Sequence, residues 1–127
     1  MLVKTFSASV QGLQASAVTI EVNTSRGLRF VLVGLPDSAV KESYERIMAA
    51  IENSGYSFPG HQITINMAPA DVRKEGSGFD LPMAIGILAT GGEVDTRLLN
   101  RYMMVGELSG WLAAAHQGCT SHLHQGT

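Results

Sequence analysis

One cysteine, Cys119, among 127 residues leaves no partner for a disulfide, which excludes a cross-linked secreted scaffold and favours a reducing compartment. No apolar run reaches the length needed to span a bilayer. The start Met1-Leu2-Val3-Lys4-Thr5-Phe6 has no long apolar stretch behind its lysine. A cytoplasmic protein without a membrane partner is therefore expected. Aromatic residues make up only 6%, too few to build a stacking platform for bases. An excess of positive charge is also missing: nine Lys and Arg stand against eleven Asp and Glu, a net charge of -2. That excludes a domain that is basic throughout and leaves room only for a local basic patch. The phosphate-cradling pattern G-x-x-x-x-G-K-[ST] is absent, since Gly76 and Gly78 lack the following Lys-Ser/Thr and Gly106 precedes Glu107. ATP hydrolysis by this chain is not expected, and neither is a bound cofactor.

What is present suffices for one α+β domain: 45% of the residues are hydrophobic, enough for a single core of ordinary size. Leu2–Val10 and Ala17–Val22 alternate in polarity about a turn at Gln11–Gln14 and predict a hairpin. After a turn cluster at Asn23–Gly27, the β-branched stretch Leu28–Val33 predicts a third strand. Beyond Gly34-Leu35-Pro36 the period changes, with Val40, Tyr44, Ile47, Met48 and Ile51 at helical spacing and Lys41, Glu42, Glu45 and Arg46 on the opposite side. Asp37 or Ser38 caps this helix and Gly55 ends it. His61–Met67 alternates as a fourth strand with Ile63, Ile65 and Met67 inward. A polar loop, 68–78, then leads to an apolar helix that Asp80 is placed to cap, ending at Gly91-Gly92, and Tyr102–Val105 forms a last strand. The predicted order is β-β-β-α-β-α-β.

Three segments together carry a family resemblance: Val33-Gly34-Leu35-Pro36-Asp37-Ser38-Ala39-Val40-Lys41-Glu42, then Ile65-Asn66-Met67-Ala68-Pro69-Ala70-Asp71, then Lys74-Glu75-Gly76 with Phe79-Asp80-Leu81-Pro82. In this order they resemble the amino-terminal, Lon-protease-like domain of the ComM/YifB family of Mg-chelatase-like AAA+ proteins, from about Leu2 to Ser109. The resemblance implies a ribosomal protein S five domain 2-like α+β fold, a mixed β-sheet with two main helices packed on it, over residues 1–109. It implies a noncatalytic accessory role beside an AAA+ module that lies outside this chain. The ATP and Mg belong to that module, and its oligomer neighbours are the expected partners. Members of the family are connected with branched DNA in natural transformation, and some are described as ATP-dependent proteases. After Ser109 the family would continue L-D-G-x-L-x-P-I-x-G-A-L-P-I, whereas Gly110–Thr127 does not. A one-base shift of the back-translated tail permits D-G-x-L-Q-P-I-K-G-A-L-P-I, so residues 110–127 are read as an out-of-frame, non-native tail.

The candidate site is the motif loop carrying Asp71, Lys74, Glu75, Gly76, Gly78 and Asp80, because glycine and charge concentrate there between a buried strand and a buried helix. Arg73 and Lys74 are candidate contacts for a DNA phosphate or a neighbouring subunit; two adjacent loop cations are as readily explained by solvation. Gly76 and Gly78 also serve backbone geometry, and Asp80 a helix cap. Lon-like enzymes use a serine nucleophile activated by a lysine, for which Ser77 and Lys41 are the alternative pair. Registering Lys74-Glu75-Gly76 on the Lon pattern puts the serine at position 78, where this chain has Gly78, so no catalytic residue is expected. Scattered cations, Arg26, Arg29, Arg46, Arg97 and Arg101 besides the loop pair, allow a DNA-backbone-contacting module as a further alternative. No metal site is expected, since His116, His122 and His124 lie in the tail and His61 stands apart.

Overall fold

In the computed structural model the described residues are 1–109, with the backbone of His124–Gln125. The tail reading and its H-x-H pair lie outside the described residues, apart from that dipeptide's backbone. The elements are β1 (Leu2–Gln11), β2 (Gln14–Ser25), β3 (Phe30–Val33), α1 (Ser38–Lys41), α2 (Ser43–Asn53), β4 (Gln62–Ala68), α3 (Asp80–Thr90), a 3-10 helix (Thr96–Arg101), β5 (Tyr102–Met103) and β6 (His124–Gln125).

The strands form one mixed sheet in the order β3-β4-β2-β1-β5-β6. β1 and β2 make an antiparallel hairpin with Phe6 opposite Thr19 and Gln11 opposite Gln14. β2 continues antiparallel to β4, with Ile20 opposite Met67, whereas β3 joins β4 in parallel, with Leu32 opposite Ile65. The parallel pair requires a crossover, which α1 and α2 supply. Alternation sends Val3, Val18, Ile20, Val22, Ile63, Ile65 and Met67 to one face, where all are buried. Each isoleucine in this layer contributes about 2–3 kcal/mol by leaving water.

α3 is apolar around nearly its whole circumference because it is enclosed on several sides. It packs on β1, β2 and α2, and the segment after β5 runs along its start, with the Leu81 amide donating to the Gly106 carbonyl at 3.0 Å. Two buried hydroxyls lock this layer: Thr5 donates to the Pro82 carbonyl at 2.9 Å and Ser7 to the Met104 carbonyl at 2.8 Å.

Several expectations need correction. The helix expected between Pro36 and Gly55 is two helices, since Glu42 is the C-cap of α1 and the N-cap of α2. The hairpin strands run further than their alternation, because the ladder holds polar residues up to the Gly12-Leu13 turn, where Gly12 has φ 61. β5 keeps two residues of the expected Tyr102–Val105 strand, because Met104 bonds Phe6 and the chain then turns along α3. A 3-10 helix fills Thr96–Arg101, where the sequence predicts no element, because the adjacent Leu98 and Leu99 set up no helical period. Among the described residues no helix is long and apolar enough to cross a membrane.

Candidate functional site

The three motif segments, far apart in sequence, meet at one end of the sheet. β3 ends at Val33, and the next residue, Gly34, has a φ of 117 and a backbone so close to β4 that an added Cβ would stand 2.2 Å from the Met67 carbonyl oxygen. Only glycine accommodates that approach. The chain then pairs with the loop: the Lys74 amide donates to the Leu35 carbonyl at 3.0 Å and the Asp37 amide to the Lys74 carbonyl at 2.9 Å. Asp37 ties the corner together through its carboxylate. One oxygen caps α1 by accepting from the Val40 amide at 2.8 Å, and the other accepts from the Gly76 amide at 3.0 Å.

Lys74 is the main departure from the surface role expected of it. Its side chain is fully buried, and its ammonium donates to the Pro69 carbonyl at the end of β4. Burial pushes its pKa below the ordinary lysine value, and the Asp71 charge opposes that shift. As an exposed contact for DNA or a subunit, Lys74 is therefore corrected. Arg73 does stand on the surface, 3.3 Å from the exposed Glu75 carboxylate.

Asp80 differs from its expected role as well. The N-cap of α3 is Phe79, and the Asp80 carboxylate, one residue later, caps nothing. It receives a bidentate contact from Arg46 on α2, Nε at 2.6 Å and a terminal nitrogen at 2.9 Å, together with the Leu108 amide at 3.2 Å. The same guanidinium donates to the Ala39 carbonyl at 2.7 Å, which links α1, α2, α3 and the segment after β5. Burial pushes the Asp80 pKa up, while the Arg46 and Leu108 hydrogen bonds pull it back. Arg46, expected on the outer side of its helix, is the residue that sequence reasoning missed. The available signal was Asp80 itself: a lone acid heading the apolar run Leu81-Pro82-Met83-Ala84 needs a cation.

Ser77 is half-buried, and no hydrogen bond joins it to Lys41, whose side chain lies instead beside Phe30, Leu32, Pro36 and Tyr44. The loop does not fit a nucleotide phosphate: the Gly76 amide is taken by Asp37 and the Lys74 ammonium by Pro69, so neither faces outward as a cradle. Among the described residues no three His, Cys, Asp or Glu side chains group as a metal site.

This corner is built from the segments that carry the resemblance, and comparison with known proteins defines its class. The family described as subunit ChlI of Mg-chelatase matches residues 20–119, and the chain belongs to this Mg-chelatase-like family. Its relatives include ComM and YifB. Competence protein ComM of Haemophilus influenzae is 46% identical over 114 residues, covering 87% of this chain and 22% of that protein. The protein YifB of Escherichia coli is 48% identical over 99 residues, covering 77% of this chain and 20% of its own length. The chain thus spans about a fifth of the length of these relatives.

Proposed function

We propose that this domain is a noncatalytic accessory module of a ComM-type, Mg-chelatase-like AAA+ ATPase, with the ribosomal protein S five domain 2-like fold. It acts in the cytoplasm, packing against the ATPase ring to help assemble it or guide its substrate, which is branched DNA in this reading. ATP and Mg are held by the AAA+ module, and the domain's partners are that module and its neighbours in the oligomer.

One observation carries the reading: the reactive groups of the motif corner are engaged with the fold itself. Lys74 binds Pro69, Asp37 binds Val40 and Gly76, and Asp80 binds Arg46 and Leu108. A nucleophilic site needs the opposite, a hydroxyl in reach of a base that is free to take its proton. A corner braced in this way supports a rigid face for docking.

The test compares the full-length protein with a version lacking residues 1–109. Loss of ring assembly and of branch migration, with the same loss in the Arg46→Met variant, is the expected result. Salt-sensitive binding of forked DNA by the isolated chain would move the function to DNA contact. Labelling of Ser77 by an active-serine probe would make it a peptidase.

A further inference from the structure

β3 is an open sheet edge with a groove beside it. The Arg29 carbonyl accepts from the Ile63 amide at 2.9 Å. In the parallel ladder that follows, Val31 and Val33 continue the bonds to β4, so the N–H and C=O groups of Phe30 and Leu32 point away from the sheet. Among the described residues no backbone group pairs with them. Native edges are usually protected by a lysine, a proline or a bulge, and Phe30-Val31-Leu32-Val33 has none within it. On the helix side of this edge lies a cavity of about 330 Å³ lined by Phe30, Leu32, Pro36, Lys41 and Tyr44. Exposed Leu28 and Leu35 flank the strand, 88% and 54% accessible. The side chains that would grip an added strand and the backbone groups that would bond it thus lie together.

We infer that this edge binds an extended acidic segment of a partner polypeptide, which adds to the sheet as a strand beside β3. The chemistry of the occupant follows from charge. Arg26 and Arg29 are exposed before the strand and Lys41 lies beyond it, and none of them makes an ion pair among the described residues. Glu45, one turn from Lys41, is not paired with it, and Asp37 is engaged with Val40 and Gly76. A second copy pairing through the same edge would bring the same cations with it and meet like charge. A strand with apolar side chains at alternate positions fills the groove against Phe30, Leu32 and Tyr44, and its carboxylates, on the opposite face of the sheet, meet the two arginines that precede β3. This goes beyond the scaffold role and stands or falls apart from it.

The experiment uses the 127-residue chain and two capped hexapeptides, one alternating glutamate with valine and the other lysine with valine, followed by amide hydrogen exchange and titration at low salt. The expected result is slowed exchange at the Phe30 and Leu32 amides and about tenfold tighter binding of the glutamate peptide. L32P removes the outward N–H while leaving the Val31 and Val33 bonds to β4, and should weaken binding about tenfold. R29E, at an exposed position on the face the glutamates share, should reverse the preference between the peptides even if L32P does not fold. Equal affinity for both peptides, protection at other amides, or concentration-dependent protection of Phe30 and Leu32 without peptide, the mark of a second copy, would each overturn the assignment.

Discussion

Replacing Arg46 by methionine keeps most of the apolar stem of that side chain and removes the guanidinium that balances Asp80. In the native chain the Asp80 side chain is 1% exposed and that of Arg46 24%. Removing one partner of a buried ion pair costs about 3–5 kcal/mol, because the other charge stays in low dielectric without compensation. The partial exposure of Arg46 and the Leu108 amide still donating to Asp80 place this case at the lower end, about 3 kcal/mol. For a domain of this size that corresponds to a fall in melting temperature of about 10 °C. The pH dependence separates a lost charge pair from lost packing. Asp80 already has a raised folded pKa, so its folded form binds a proton more tightly than its unfolded form. Its contribution to stability is fully present below the unfolded carboxylate pKa and is lost as pH rises through the folded one. Without Arg46 the folded pKa rises further, which extends that window upward. The deficit of R46M relative to the native chain should therefore be largest at neutral pH and shrink on acidification. Adding D80N to R46M should recover about 1–2 kcal/mol at neutral pH, since the uncompensated charge is gone and an acceptor for Leu108 remains. Urea unfolding across pH measures all of this. A deficit under about 1 kcal/mol at neutral pH, or one that grows with acidity, would refute the reasoning.

Two further outcomes follow. G34A places a methyl group 2.2 Å from the Met67 carbonyl oxygen at a φ of 117, so β3 must separate from β4; a loss of about 3 kcal/mol or more is expected, read by thermal unfolding and by faster exchange of the Val31 and Val33 amides. For Lys74 the folded pKa lies below the unfolded one, so its contribution to stability is fully present above the ordinary lysine value and lost as pH falls through the folded pKa. Native stability should rise with pH in that window and K74M should lack the rise; equal slopes for the two proteins would show that Lys74 is not held as described.

What could be read from the sequence depended on whether the information was local. Gln62–Ala68 declares its buried face by alternation alone, and the structure seats Ile63, Ile65 and Met67 accordingly. The spacing of Val40, Tyr44, Ile47 and Ile51 likewise declared a helical stretch. It could not show the break at Glu42, because the same residues face inward on both sides of it. The site depended on pairings at longer range. Lys74 looks like half of a solvated Arg-Lys dipeptide until the chain folds back to place the Pro69 carbonyl against its ammonium. Arg46 looks like one more charge on an outer face until Asp80, 34 residues on, is brought beneath it. Both misreadings have one cause: periodicity ranks residues by hydropathy, whereas a buried cation is decided by an acceptor that hydropathy does not record. The resemblance compensated for this, because it grouped Asp37, Lys74 and Asp80 before any contact among their neighbourhoods was visible. The geometry then changes what that grouping means. Asp37 joins its segment to the loop at Gly76, Lys74 joins the loop to β4, and Asp80 joins α3 to α2. Residues that read as a functional loop are the braces of the corner.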